Sequence, residues 1–219
     1  MKQQDVLKKS FLHFLRILGD LMVVNLLWFF CSLPIITVGP ATCGMYTVLL
    51  KLARKEQTST IKDFFRAFKD NVKAGFVIGI LVLVLALVTY VDANFAANVQ
   101  GTLQTVYIVV AAAIGAIALT IFCYAFAVQA MFENPLKVQL KNAFSLAFVN
   151  PGKTVMMWLI TAFPVLVAIA LPQFIVARIG FIYLIMGVSG PAYLNSRLLR
   201  DIFDKVNGSP VVSAPEDEE

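Results

Sequence analysis

The sequence predicts an all-α fold: a polytopic transmembrane helical bundle of about six membrane segments, arranged as three hairpin units with cytoplasmic interfacial amphipathic helices. Three observations point there. The 219 residues are 59% hydrophobic and only 14% charged, where soluble domains average about 25% charged. No Lys or Arg lies between Lys73 and Lys137, a stretch holding two apolar runs, Ala74–Val91 and Val106–Met131. Each run approaches or exceeds the roughly 20 residues a helix needs to cross about 30 Å of hydrocarbon. Basic residues gather outside these runs, and a polar loop, Asp92–Thr105, separates them.

The first span is Leu21–Val38. It ends in Leu33-Pro34-Ile35-Ile36-Thr37-Val38-Gly39-Pro40, where two prolines and a glycine predict a break. The second segment, Ala41–Ala53, is short and reads as an oblique crossing or the returning arm of a shallow hairpin. The two long runs are the third and fourth spans, Thr154–Leu171 the fifth and Ile179–Leu194 the sixth. Gly187 and Gly190-Pro191 predict a second break, in the sixth span. Six crossings put every Lys and Arg except Arg178 on one side, and the positive-inside rule then places both termini in the cytoplasm of a multi-pass cell-membrane protein. Lys8, Lys9 and Arg16 precede the first span as in a signal peptide, but no small-residue cleavage site follows, so an uncleaved span is expected.

Three amphipathic stretches stand before spans: Leu7–Leu18, Ile61–Val72 and Leu136–Phe148. Each repeats apolar residues at i, i+3, i+4 and i+7 opposite basic ones, the pattern of a helix lying in the headgroup layer. With the hairpin that follows each, they read as three units, and Gly-Pro-Ala recurs in the return arms of units one and three (Gly39–Ala41, Gly190–Ala192). Residues 1–205 form one transmembrane domain, and 206–219 read as a disordered acidic cytoplasmic tail.

The net charge of +5 sits beside spans. It therefore predicts attraction to the anionic lipids of the cytoplasmic leaflet, about 1 kcal/mol per basic residue at the surface, and no nucleic-acid partner. Cys31, Cys43 and Cys123 lie in apolar segments without metal spacing and read as small buried hydrophobes. No cofactor, metal or catalytic constellation is legible, so no enzyme activity is expected. Ionisable and amide groups at membrane depth are candidate sites: Asp20 and Asn25 in the first span, Gln129 and Glu133 one turn apart in the fourth. Their structural alternatives are an interfacial acid, an interhelical hydrogen bond and a polar helix end, and Asn195 with Arg197 reads as a polar helix end too. The break at Pro34, Thr37, Gly39 and Pro40 is either a substrate-binding interruption, as in transporters, or a tight turn.

Trp28 followed by Ser32–Thr42, the Asp63-Phe64-Phe65-Arg66-Ala67-Phe68 stretch and the late Gly190-Pro191-Ala192 resemble the YesL family of bacterial membrane proteins, a domain of unknown function. The resemblance covers residues 1 to about 205. It implies a neighbourhood of carbohydrate ABC transporters and polysaccharide breakdown, hence a role in sugar uptake with ABC-type permease subunits as partners. It supplies no binding residues. The expected function is an accessory or scaffold component of a carbohydrate uptake system; the alternative is a small secondary transporter or channel for a small solute.

Overall fold

The computed structural model describes residues 2–132 and 135–206. Among them are ten α-helices and no strand: α1 (Lys2–Cys31), α2 (Val38–Ala53), α3 (Thr60–Asp70), α4 (Val72–Asn98), α5 (Thr102–Thr120), α6 (Phe126–Met131), α7 (Leu136–Val149), α8 (Pro151–Ala170), α9 (Gln173–Met186) and α10 (Ser189–Val206). A 3-10 turn (Ile35–Thr37) precedes α2, and a π-turn (Ile121–Ala125) joins α5 to α6. Among the described residues five stretches are long and apolar enough to cross a membrane: Phe11–Cys31, Ile35–Ala53, Val72–Asn98, Thr102–Met131 and Pro151–Ala168. The protein is an all-α helical membrane protein.

Three of the expected elements take a different form. The first amphipathic stretch is no separate helix but the opening half of α1, which runs unbroken through Gly19. One glycine inside a helix costs only about 1 kcal/mol, too little to end it without a proline or a cap. The expected loop at Asp92–Thr105 is mostly helix. The Asn94 and Asn98 amides bond back to the carbonyls of Tyr90 and Asn94, and the turn shrinks to Val99–Gly101, where Gly101 takes φ +73°. The sixth segment is two helices, α9 ending at Met186 and α10 starting at Ser189. The tail beyond Val206 lies outside the described residues.

Helix α2 is the centre of the bundle. All but three of its residues are buried, and it packs against α1, α3, α4, α6 and α10. Its sequence explains this position. Small residues at its start, Gly39, Ala41 and Gly44, let other backbones come close, which is how helices gain packing when the solvent is itself apolar. Gly39 meets Gly75 and Gly79 of α4 so closely that a Cβ on Gly79 would stand 3.1 Å from the Gly39 Cα, inside ordinary van der Waals contact. Gly44 receives Phe64 of α3, which is fully buried. Both Gly-Pro-Ala triplets occupy the first turn of a helix, α2 and α10. Proline is tolerated there because the first-turn N–H groups have no helical partner.

One end of α2 is tied by charge. Lys51 pairs with Asp63 at 3.1 Å, Arg54 with Asp204 at 2.9 Å, and Arg200 donates to the Ala53 carbonyl at 3.0 Å. The α4–α5 hairpin differs from the rest. It contacts the bundle near its base, at Gly75, Ile78 and Gly79 and again from Ala118 onward, while the residues between pack mainly on each other and are largely exposed. Phe95 stacks on Tyr107 near its tip.

Candidate functional site

The residues singled out from the sequence fall into separate places. At the Pro34–Pro40 break the chain leaves α1 and turns into α2 within six residues. The Thr37 hydroxyl bonds the carbonyls of Cys31, at 2.6 Å, and Pro34, at 2.7 Å. The Trp28 indole N–H donates to the Thr42 hydroxyl at 3.0 Å, and Thr42 donates to the Val38 carbonyl at 2.7 Å. Local side chains thus hold the Cys31, Pro34 and Val38 carbonyls at the break, while Ser32 Oγ is buried without a partner. Gly39 and Pro40 face α4 rather than a cavity. Thr37→Val should therefore cost about 1 kcal/mol, the worth of an ordinary hydrogen bond. The check is thermal unfolding in detergent beside a growth assay; lost growth at normal stability and membrane level would return the break to the list of binding sites.

The second break is closed from a distance. Asn25 is 2% exposed. Its Oδ1 accepts the N–H groups of Val188, at 3.0 Å, and Ser189, at 2.9 Å, while its Nδ2 donates to the Leu184 carbonyl at 2.7 Å. One amide thus caps the last turn of α9 and the first of α10. An amide can serve both ends because it carries a donor and an acceptor on one plane. Asn25 and the Gly187 break, read separately from the sequence, form one device.

Asp20 accepts from the Thr60 hydroxyl at 2.6 Å, at the first turn of α3, where the helix dipole favours an acid. The Gln129 amide donates to Asn71 Oδ1 at 2.8 Å, linking α6 to the joint between α3 and α4. This pair borders a polar recess of about 420 Å³, walled by Thr47, Lys51, Asp63, Arg66 and Asp70 as well. Glu133 lies outside the described residues. Among the described residues, Asp20, Asn25, Gln129 and the Thr37 turn share no hydrogen-bond partner.

The densest buried polar set has no counterpart among the expected sites. Tyr46 of α2, Cys123 of the π-turn and Asn195 of α10 are all 1% exposed or less. Cys123 and Asn195 meet at Thr161 of α8, and Tyr46 lies beside both with its hydroxyl buried without a hydrogen-bond partner. Asn195 Nδ2 donates to the Thr161 hydroxyl at 2.8 Å, and Cys123 Sγ lies 3.4 Å from the same oxygen. Next to it Tyr124 and Thr154 share a hydrogen bond of 2.8 Å. Asn195 is therefore interior, not the polar helix end its sequence position suggests. The two-helix form of the sixth segment sets it six residues into α10, beside α2. The set joins four elements, and the π-turn lets Cys123 and Tyr124 both face inward, since a widened turn rotates successive residues less than an α-turn does. The only sequence signal for it is the neighbourhood of the two Gly-Pro-Ala triplets, to which Tyr46 and Asn195 are close.

The family model described as "Protein of unknown function, DUF624" matches residues 21–93, which hold the Asn25 amide, the Pro34–Pro40 turn, α2, α3 and the Gly75–Gly79 contact. The uncharacterized protein YesL of Bacillus subtilis (strain 168) is 30% identical over 149 residues, covering 66% of this chain and 70% of that protein. The chain belongs to the YesL family. No solved structure matches it. The family model thus takes in the whole α1–α2 turn and its close backbone contact with α4.

Proposed function

We propose that this YesL-family protein is a non-catalytic accessory or scaffold component of a carbohydrate uptake system in the bacterial cell membrane, with ABC-type permease subunits as partners. The observation that carries the accessory reading is where the buried polar groups go. Among the described residues Asn25, Thr42, Thr154 and Asn195 each engage backbone or side chains of the protein itself, while Asp20 Oδ2, Tyr46 Oη, Gln129 Oε1 and Asn195 Oδ1 are buried without a partner on four different helices. A conducting path needs polar groups left available to a passing solute, in series from one end to the other. The carbohydrate assignment rests on the family resemblance alone. Both termini are assigned to the cytoplasm by the charge asymmetry, which places the Lys51, Arg54 and Arg200 cluster inside as well.

Co-purification from the native host in mild detergent tests the reading, with permease subunits as the expected companions. Uptake of labelled oligosaccharide by liposomes holding this protein alone would overturn it in favour of the transporter alternative. The topology has its own check. With the three native cysteines replaced, an impermeant thiol reagent on intact cells should label Gln100→Cys, at the α4–α5 turn, and leave Gln57→Cys, between α2 and α3, unlabelled. Labelling at residue 57 would sink the assignment.

A further inference from the structure

The three units treat their amphipathic helices unequally. Helix α3 lies along the return arm α2 of the unit before it and seats Phe64 on Gly44. Helix α7 lies along the π-turn in the return arm of the second unit and buries Ala143 and Ala147. The opening half of α1 takes the matching place beside α10, the return arm of the third unit, yet does not close it. A groove of about 940 Å³ remains, walled by Phe14, Leu18 and Leu21 of α1, Phe163 and Val167 of α8, and Leu194 of α10. The walls are apolar nearly throughout. Gly190 opens onto the same space, and a Cβ there would meet no atom within 4 Å.

Among the described residues, the one charged side chain on the groove wall is Arg197. It is exposed and has no ion pair among the described residues, whereas its neighbour one turn on, Arg200, is engaged by Asp201 and the Ala53 carbonyl. Counting along α10, Arg197 sits about 12 Å from the Asn25 junction at Ser189, toward the end where Lys51, Arg54 and Arg200 gather. An apolar groove whose wall includes an exposed guanidinium without an ion pair among the described residues, while the basic residues near it are held by Asp63, Asp201 and Asp204, has one complementary occupant. An acyl chain fits the walls, and a phosphate accepts the guanidinium's paired donors.

We propose that this groove seats one anionic phospholipid, acyl chain between α1, α8 and α10 and phosphate on Arg197. The site is independent of the accessory reading and would stand if that reading failed. The test is native mass spectrometry of the full chain released from nanodiscs holding equal palmitoyl-oleoyl phosphatidylglycerol and palmitoyl-oleoyl phosphatidylcholine. The protein should retain the anionic lipid about fivefold over the zwitterionic one, the ratio expected of one basic residue at the membrane surface. Arg197→Gln should bring the two to parity, and Arg197→Lys should keep most of the preference. Gly190→Met fills the groove from a position with room for it and should lower retention of both lipids. Leu194→Trp does so from the next turn of α10 if the first variant fails to fold. Equal retention of both lipids by the unaltered protein overturns the proposal. So does a preference that survives Arg197→Gln, or a lipid-free dimer that Gly190→Met dissociates, which would make the occupant a second copy.

Discussion

Gly39→Leu should abolish recovery of folded protein from membranes, and Gly39→Ala should already lower its thermal midpoint. A Cβ on residue 39 would fall 1.8 Å from the Gly75 carbonyl oxygen and 2.6 Å from its carbon. Those are backbone atoms, so no rotamer change relieves the clash, and α4 itself must move. The reverse view is as tight, with a Gly75 Cβ 2.8 Å from the Pro40 nitrogen. Overpacking usually costs about 1–3 kcal/mol, and this case lies at or beyond the upper end because the displaced helix also carries the buried Ile78 away from the core. Gly152→Ala, whose Cβ would meet nothing within 4 Å, is the matched control and should melt as the parent does. Size-exclusion profiles and thermal scans of the three variants read the effect. A Gly39→Ala protein as stable as the Gly152→Ala control would show that α2 and α4 do not meet at this point.

Asn25→Leu should be the most damaging change in the first span. The substitution keeps volume and hydropathy suited to a membrane helix, so insertion should proceed. What it removes is the acceptor for the Val188 and Ser189 N–H groups and the donor to the Leu184 carbonyl. Each buried polar group left unpaired costs about 1–3 kcal/mol, and hydrogen bonds inside membrane proteins run near the lower end, so a loss of roughly 2–4 kcal/mol is expected from the group. The damage should be local to the α9–α10 junction. A cysteine at Gly190, where a Cβ meets nothing within 4 Å, in a background without the native three, should become more reactive to a membrane-permeant thiol reagent. Asn25→Gln, which keeps both functions on a longer arm, should recover part of the loss. Unchanged unfolding and unchanged reactivity for Asn25→Leu would refute the capping role.

The fold class was legible because lipid leaves a hydrophobic chain few options, and helices satisfy their own backbone. Breaks were legible too, since proline and glycine act locally. What closes a break was not. The partner of Ser189 at the second break is 164 positions away, and only the fold brings Asn25 to it. The same limit governs α3. Its phenylalanine stripe marks an apolar face, but spacing cannot say what covers it, and Phe64 turns out to meet Gly44 while Ile61 stays exposed. The Gly75–Gly79 spacing on α4 stands in the sequence as a packing motif; that it meets Gly39 does not. The buried set of Tyr46, Cys123, Thr161 and Asn195 is the least legible part. It draws one residue from each of four elements, and the widened turn that aims Cys123 inward has no signature in residue type.

The tie between Arg200 and the end of α2 has a consequence in time. The carbonyl it caps, Ala53, leaves the ribosome 147 residues earlier, an interval of about 7–30 seconds at ordinary bacterial-to-eukaryotic translation rates of 5–20 residues per second. Throughout that wait the central helix stands in the membrane without the helix that completes it, and Arg54 stands without Asp204. Chains truncated before α10 would keep that unfinished state permanently, with two open ends for a membrane protease to find. Helix α10, made long after α2, is therefore the one that completes the first hairpin.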